Sequence, residues 1–361
     1  MKIYNFSAGP ACLPDTVLKA VKRSFLNYNQ LGMSVMEMSH RSTPIVDIFD
    51  EATSRVRSLL NVPKNYHILW LQGGASLQFS MIPLNLLPDN GSADYLDTGA
   101  WSHKAITECN RVGIANVVGS SRESTYSYIP KEYICNDKSS YFHITSNNTI
   151  YGTQLKVLHN LKNSNIPVVA DMSSEILSRP VDVSDFGIIY AGAQKNMGPA
   201  GATLVIVRDD LIGMNYRDLP SMLNFKTHVE KNSMFNTPPV FSVFVINEML
   251  KWIEGIGGLA EMEKLNNKKA KKLYNEIERN PLFKSIVNVE DRSMMNVPFV
   301  FADELMEDRD FLTFCEQRGL MTLKGHRSVG GFRASIYNSM PESGVDALIS
   351  AMQEYEISIS K

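Results

Sequence analysis

Short apolar runs alternate with longer helical patterns through the first part of the chain. Runs of strand length occur at residues 66–72, 92–99, 140–145, 166–171, 187–192 and 202–208. Helical patterns such as those at 77–87 and 102–113 lie between them. Continuously apolar strands separated by helix-length segments are typical of a mostly parallel sheet with helices on both faces. We therefore expect a large, doubly wound α/β domain, which binds ligands at the carboxyl ends of its strands.

A break near Gly255 ends this pattern. A helical stretch over 240–255 stops at the sequence GIGG, and a highly charged helical pattern then covers 259–279. Because clustered glycines mark element boundaries, we expect the large domain to span residues 16–255. The basic run KKAKK (268–272) lies between glutamates, and we expect it to form a solvated helix face rather than a patch for nucleic acid.

The remaining sequence predicts a smaller α+β domain over residues 256–361, with the segment 1–15 packing near it. Strands and helices both occur in its pattern. The strands are expected at 286–290, 297–302 and 331–338, and the helices at 308–319 and 343–356.

Composition narrows the possible partners. The 361 residues are 44% hydrophobic and carry a formal charge of −2, so neither nucleic acid nor an anionic membrane is expected as a partner. No run of eighteen apolar residues and no signal-peptide pattern occurs, which predicts a cytoplasmic protein. The cysteines show no CxxC pair or metal-ligand spacing, so no disulfide framework or metal site is expected. Reduced, mostly buried thiols are expected at Cys12, Cys109, Cys135 and Cys315.

Lys195 is predicted to lie in a tight connection between two buried strands, where a charged side chain is unusual. It lies in AGAQKNMGPAG, between two strand patterns, and the small residues around it leave room beside its amine. Partial desolvation destabilises the charged form of a lysine and favours the neutral amine that attacks carbonyl carbons. For an arbitrary lysine, the capping of strand-end carbonyls or pairing with an acid is the simpler explanation.

Asp171 favours a chemical role for Lys195 over a structural one, because it ends the strand pattern at 166–171. An acid and a lysine at the ends of two strands lie over the same edge of a parallel sheet. Pyridoxal phosphate needs such a pair: a lysine for its aldehyde, and a carboxylate that keeps its pyridine nitrogen protonated. Alone, Asp171 would serve equally well as a helix N-cap or in an Asx turn. Together with Lys195 it favours a pyridoxal phosphate site.

Two further strand-to-helix junctions fit this cofactor. In LQGGASLQF, free backbone N–H groups at a helix start would hold a phosphate, and Ala75 and Ser76 lie there. The segment lacks the P-loop and GxGxxG spacings, so it does not imply a nucleotide. Trp101 follows another strand and is placed to stack on a pyridine ring, although tryptophan is more often a core residue.

Cations cluster in two short motifs, SHRS and KGHRSVGGFRAS. Arginine forks bind carboxylates and phosphates in bidentate fashion. The cluster exceeds the needs of one α-carboxylate, which predicts a substrate with a second anionic group. Exposed surface arginines are the simpler alternative for either motif alone. The residues concerned are His40, Arg41, His326, Arg327 and Arg333.

These motifs, together with NFSAGPACLP, SNNTIYGTQ, DMSSEILSRP and NTPP, resemble the phosphoserine aminotransferase family, a class V, fold type I group of pyridoxal phosphate enzymes. The resemblance covers nearly the full chain. It implies that Lys195 binds the cofactor aldehyde covalently, that Asp171 pairs with the pyridinium nitrogen and that Trp101 stacks on the ring. It also places Arg333 at the substrate α-carboxylate, with His40, Arg41, His326 and Arg327 around the distal anion.

The resemblance adds residues that spacing alone does not indicate. Thr149 would bond near the ring hydroxyl, and Gln194 would join Ala75 and Ser76 at the cofactor phosphate. Asn236 and Thr237 would complete that phosphate site from a partner subunit, which implies a homodimer with shared active sites. One departure is Ser76, since some family members carry an arginine there that reaches the substrate phosphate.

The implied reaction transfers the amino group of L-glutamate to 3-phosphohydroxypyruvate, giving O-phospho-L-serine and 2-oxoglutarate in serine biosynthesis. The resemblance also implies a second substrate, 3-hydroxy-2-oxo-4-phosphonooxybutanoate of the pyridoxine pathway. Another class V enzyme, either an alanine:glyoxylate-type aminotransferase or a lyase, is the first alternative. A lyase would require a cysteine on a mobile loop near the substrate. Cys315 lies in a helical pattern and is expected to be buried. A phosphate-ligand sensor or nucleotide-binding protein without catalysis is a more remote alternative, and it would not need Lys195 and Asp171 at matched strand ends.

Overall fold

The computed structural model describes residues 2–157, 166–214 and 216–359. Strands and helices alternate over most of this part of the chain. The strands are β1 Tyr4–Asn5, β2 Tyr66–Leu71, β3 Ser92–Asp97, β4 Ile114–Ser120, β5 Phe142–Thr145, β6 Val168–Asp171, β7 Ile188–Gly192, β8 Thr203–Arg208, β9 Phe283–Ser285, β10 Asn296–Phe301, β11 Leu320–Met321 and β12 Phe332–Ser335. The α-helices are α1 Asp15–Leu26, α2 Thr43–Leu59, α3 Gly74–Leu86, α4 Ala100–Cys109, α5 Phe225–Glu230, α6 Val240–Gly255, α7 Gly258–Arg279, α8 Asp308–Glu316 and α9 Glu342–Ile359.

The large sheet has seven strands in the order β2-β8-β7-β6-β5-β3-β4. Only β8 runs against its neighbours, because it pairs antiparallel with both β2 and β7 while the other pairs are parallel. The carboxyl ends of the remaining six strands therefore share one edge. This confirms the expected α/β architecture with a mostly parallel sheet.

Both faces of this sheet are covered, as its sequence pattern predicts. In β2, Ile68 and Trp70 pack into one apolar core, and the alternate residues Leu69 and Leu71 pack into the other. Helices α2 and α6 contribute to the first core, and α3 and α4 contribute to the second. A strand buried on both sides needs apolar residues at every position, which explains the continuous apolar run.

Strand β4 lies at the edge of the sheet next to β3 and is not among the strands expected from the sequence. Its central residues are exposed or half-buried, so its pattern lacks the continuous apolar run of the inner strands. Ile114 and Val117 are among the exposed large apolar side chains of the described residues. A continuous apolar run is typical of strands that are buried on both faces, so it does not indicate an edge strand such as β4.

A second, three-stranded antiparallel sheet has the order β12-β10-β9 and lies beside its own apolar core. The strands expected at 297–302 and 331–338 correspond to β10 and β12, and both predicted helices form. The strand expected at 286–290 is wrong: β9 ends at Ser285, and a 3-10 turn occupies Val289–Asp291. There the alternation of apolar and polar residues accompanies a turn rather than a sheet pairing.

The N-terminal segment lies against the C-terminal sheet region. Strand β1 pairs with β11, and Phe6 is fully buried in the same core as Phe299 and Phe332. Helix α7 contributes to both cores, because Leu259 packs into the core of the large sheet and Leu273 into the core beside the small one. The division of the chain at residues 255 and 256 stays a prediction.

The basic run in α7 is not uniformly solvated, which corrects the expectation for one of its members. Lys269 is 3% exposed, and its ammonium donates to the carbonyl oxygens of Ile336, Tyr337, Asn338 and Met340 at 2.7–3.4 Å. Position 269 faces the interior, whereas Lys268, Lys271 and Lys272 are exposed or lie near the surface. The charge pattern hides this difference, because it ignores which helix face each residue occupies.

Within the described ranges, no helix is both long and apolar enough to span a membrane.

Candidate active site

The carboxyl edge of the large sheet holds four chain segments that follow parallel strands. Asp171 is the last residue of β6, and Lys195 lies three residues after the end of β7. Helix α3 begins three residues after β2, and α4 begins three residues after β3. Because parallel strands present their carboxyl ends at one edge, the topology brings these junctions together.

The amine of Lys195 is fixed by one hydrogen bond. Its Nζ donates to Oγ1 of the buried Thr149 at 2.8 Å and lies 5.5 Å from the centre of the Trp101 ring. Burial lowers the pKa of the Lys195 amine to about 8, with Asp171 opposing the shift and Arg333 adding to it. The geometry thus yields a lysine that is far easier to deprotonate than a surface lysine.

The N-terminal segment closes over Lys195, which sequence analysis did not indicate. A Cβ atom added at Gly9 would lie 3.3 Å from Cγ of Lys195, and the Gly9 φ of +144° already favours glycine. The backbone N–H of Ala11 donates to the carbonyl of Gln194 at 2.9 Å. The glycine in NFSAGP is the signal in the sequence, because it permits this close approach.

Asp171 presents a buried carboxylate on the same edge. Its Oδ1 accepts a hydrogen bond from the backbone N–H of Ser173 at 2.9 Å. Burial raises the pKa of the Asp171 carboxyl, while the positive charge of Lys195 and the bond from Ser173 oppose that rise. Ser173 also accepts a bond from the N–H of Gly192 through its Oγ, at 3.1 Å, so it ties the ends of β6 and β7 together.

The start of α3 is open and uncapped. Gly73 and Gly74 have positive φ values of 86° and 64°, and no side chain of the described residues caps the helix start. A Cβ atom added at Gly74 would meet nothing within 4 Å, so there is free space over this helix end. Ala75 is half-buried and Ser76 is exposed. An uncapped N-terminus with space above it suits a phosphate group.

Trp101 lies in the first turn of α4. Its ring is half-buried, and its Nε1 is buried without a hydrogen-bond partner among the described residues. Lys104, one helical turn further on, places its ammonium 4.3 Å from the centre of the same ring. Lys104 is not among the residues expected at the site, and its i+3 spacing from Trp101 is the signal in the sequence that indicates it.

The C-terminal cations approach this region from β12 and the loop before it. Arg333 lies on β12, and its Nε is buried with no hydrogen-bond partner in the described residues. Nδ1 of His326 accepts a bond from the N–H of Ser328 at 3.2 Å. Burial lowers the pKa of the His326 imidazole, and the positive charges of Arg333, Arg327 and Lys104 lower it further. The cations Arg333, Arg327 and Lys104 are therefore close enough to His326 to interact with it electrostatically, and we call these four residues the cation cluster.

Four of the expected residues do not join this group within one chain. Arg41 is exposed, and Nε2 of His40 is buried with no hydrogen-bond partner in the described part of the chain. Asn236 and Thr237 are exposed in the segment before α6. No hydrogen bond or ion pair between described residues joins any of the four to Lys195 or to the cation cluster.

The residues present fit pyridoxal phosphate, the cofactor that the sequence motifs imply. An amine with a lowered pKa, a buried carboxylate and an uncapped helix start meet at one edge of the sheet. The unpartnered Nε1 of Trp101 and Nε of Arg333 are buried donors that need an acceptor from outside the described chain. The site thus offers an amine for the cofactor aldehyde, a carboxylate for its ring nitrogen and a helix start for its phosphate.

The family model for aminotransferase class-V matches residues 3–348. The chain therefore belongs to the aminotransferase class-V family. Among curated proteins it is 51% identical over 358 residues to the phosphoserine aminotransferase of Flavobacterium johnsoniae, with 99% of both sequences covered. It is 50% identical over 357 residues to the phosphoserine aminotransferase of Bacteroides thetaiotaomicron, again over 99% of both.

Solved structures agree with this placement. The phosphoserine aminotransferase from Bacillus circulans subsp. alkalophilus superposes with a TM-score of 0.96, at 45% identity over 99% of both chains. The pyridoxal phosphate-bound phosphoserine aminotransferase from Trichomonas vaginalis gives a TM-score of 0.92 at 42% identity, covering 98% of this chain and 100% of that one. The resemblance inferred from the motifs and the fold type I architecture are both confirmed.

Proposed function

We propose that the chain transfers the amino group of L-glutamate to 3-phosphohydroxypyruvate, giving O-phospho-L-serine and 2-oxoglutarate. The observation that carries this proposal is a buried Lys195 amine, 2.8 Å from Thr149 and 5.5 Å from the Trp101 ring centre, that interacts electrostatically with Asp171 and Arg333. Full-length relatives that are about half identical and named phosphoserine aminotransferase support the same reaction. Both substrates carry an α-carboxylate and a second anion, which matches the two ends of such a cluster.

Pyridoxal phosphate, when bound, supplies an aldehyde that takes up the amino group and a ring that accepts the electrons left when the Cα proton departs. Lys195 and Asp171 are the residues proposed to hold its aldehyde and its ring nitrogen. Ala75, Ser76 and Gln194 are proposed for its phosphate, at the open start of α3, and Trp101 for its ring face. Thr149 is proposed to lie at the ring hydroxyl, where it also holds the lysine amine.

Lys195 is proposed to move the proton. A pKa of about 8 leaves roughly one tenth of the amine neutral at pH 7, far more than for an ordinary lysine, so Nζ is available to accept a proton from the substrate Cα. Thr149 restrains Nζ through its hydrogen bond and limits the positions that the amine samples. The buried carboxylate of Asp171 favours positive charge close to it, which the ring nitrogen would supply.

Arg333 is proposed to bind the α-carboxylate. Its guanidinium is partly buried, and no carboxylate of the described residues lies within ion-pair distance of it, so the incoming carboxylate would be its first charged partner. His326 and Arg327 are then proposed to bind the distal anion of the substrate. A lyase is less well supported, because Cys315 is fully buried in α8 and not in a mobile loop.

We also propose a homodimer with shared active sites, in the cytoplasm. Exposed apolar side chains adjoin the residues that stay apart within one chain: Met33 and Met36 precede His40, and Phe235 precedes Asn236. A partner that covers these side chains would bring His40, Arg41, Asn236 and Thr237 against another copy's cluster.

The phosphate specificity is the direct test of the proposed reaction. The specificity constants of the holoenzyme for 3-phosphohydroxypyruvate and for unphosphorylated hydroxypyruvate are compared with L-glutamate as donor. We expect the phosphorylated substrate to be preferred by well over tenfold, because a site built to bind a phosphate leaves its cations unpaired without one. Equal constants would leave an aminotransferase but overturn the phosphoserine assignment.

A further inference from the structure

A candidate for an additional charge at the distal anion site lies on α4. Ser76, in the first turn of α3, is exposed and uncharged, so this helix start contributes no cation to the substrate. Helix α4 packs beside α3 in the same apolar core, and Lys104 is the one lysine in α4. The charge that α3 does not supply is therefore available from the neighbouring helix.

The Trp101 ring holds Lys104 in place. Residues 101 and 104 lie on one face of α4, and the ammonium rests 4.3 Å from the ring centre, a cation–π distance. The ring of Trp101 also lies 5.5 Å from Nζ of Lys195, so a single side chain positions both amines. Lys104 is exposed, and its contact with Trp101 places it at the solvent-facing rim of the active site.

The start of α4 meets the loop before β12, because Ala100 and Val329 both pack against the apolar cluster that contains Tyr151. Lys104 therefore lies on the helix that adjoins the loop of His326. Its charge is among those that oppose protonation of His326, along with those of Arg333 and Arg327, which come from a different part of the fold. In the described residues no carboxylate lies within ion-pair distance of Lys104, Arg327 or Arg333. Like charges held together without a counterion repel one another, and an anion placed among them relieves the repulsion.

We propose that Lys104 is a specificity-determining residue that binds the phosphate end of the substrate, together with His326 and Arg327. This inference rests on the proposed function and names a residue of that same site. The ammonium supplies one charge-assisted hydrogen bond to a phosphate oxygen, and the flexible lysine stem lets it move from the Trp101 ring to the ligand.

The test compares the holoenzymes Lys104→Gln and Lys104→Arg with the unaltered protein and with Lys271→Gln. Lys271 is a matched control, because it is an exposed helical lysine on α7 with no ion pair in the described structure. We expect Lys104→Gln to lower the ratio of specificity constants for phosphohydroxypyruvate over hydroxypyruvate about tenfold, through KM rather than kcat. Lys104→Arg should keep most of the ratio, and Lys271→Gln should not change it.

A binding measurement separates this role from a structural one. Inorganic phosphate is titrated into each holoenzyme by calorimetry, and its Kd should rise several-fold in Lys104→Gln only. Unchanged phosphate affinity with an unchanged ratio would overturn the proposal, as would a loss of cofactor affinity without a change in the ratio. If the unaltered protein itself shows no preference for the phosphorylated substrate, then the proposed function fails, whatever the variants do.

Discussion

Nζ of Lys195 donates a hydrogen bond to Oγ1 of Thr149 at 2.8 Å. Thr149 follows the carboxyl end of β5, and Lys195 follows the end of β7, so this bond joins two junctions across the intervening strand β6. It is the one side-chain hydrogen bond that holds the amine among the described residues. The position of the Lys195 amine therefore depends on a residue that carries no charge.

Replacing Thr149 with valine tests that dependence. Valine keeps the shape of the side chain and removes the acceptor, so the amine loses its restraint while the packing is kept. We expect kcat to fall about tenfold with little change in KM, since a hydrogen bond to a charged group is worth roughly 1.5–3 kcal/mol. Steady-state kinetics of the holoenzyme measure both constants.

Thr149→Ser is the control, because it restores the hydroxyl. Its kcat should stay within about threefold of that of the unaltered enzyme. If valine and serine reduce kcat equally, then the methyl group matters and the hydrogen bond does not.

The lowered pKa of Lys195 predicts a specific pH dependence for the cofactor-free protein. Burial brings the pKa of the amine to about 8, so its neutral fraction rises about tenfold per pH unit below 8 and levels off above. The rate of covalent attachment of pyridoxal phosphate, followed by absorbance, should show the same rise and plateau. A rise that continues to pH 10 would indicate an ordinary, solvated lysine.

The variant Asp171→Asn tests the direction in which the charge of Asp171 changes the pKa of the Lys195 amine. The negative charge of Asp171 raises the pKa of Lys195, against the effect of burial. Asparagine keeps a side-chain oxygen for the N–H of Ser173 but removes the charge. The midpoint of the attachment profile should therefore move to a lower pH, and a shift to a higher pH would contradict this account of the site.

The sequence predicts some parts of the fold and of the candidate site and does not predict others. The positions of Asp171 and Lys195 at one edge of the sheet were predictable, because one residue ends a clear apolar run and the other closely follows one, whereas their roles stay predictions. Gly9 was not, since nothing local in the sequence says that the N-terminal segment returns to position 195. Asn236 and Thr237 came from the resemblance alone, and one chain leaves them exposed. Strand β4 was missed, because an edge strand does not need the continuous apolar pattern.

Lys269 shows where a charge pattern misleads, and it supplies a prediction about stability. Its buried ammonium donates to four carbonyl oxygens in the segment that follows β12. Lys269→Met keeps the aliphatic stem and leaves those acceptors without their donor. We expect the free energy of unfolding to fall by about 3 kcal/mol, measured by urea denaturation.

Lys268→Met is the matched variant one position away. Lys268 pairs with Glu342 at 2.8 Å with both side chains partly exposed, so the loss should be below about 1 kcal/mol. Equal losses in the two variants would mean that the buried donor contributes no more than a surface ion pair.

The covalent attachment point of the cofactor tests the central claim most directly. Borohydride reduction of the holoprotein makes the bond between cofactor and lysine permanent, and peptide mass mapping then locates it. Lys195 should carry the label, and Lys269 should not, although burial lowers the pKa of both amines, because carbonyl oxygens enclose the Lys269 ammonium. A label on Lys269 or on any other residue, or no label at all, would contradict the account.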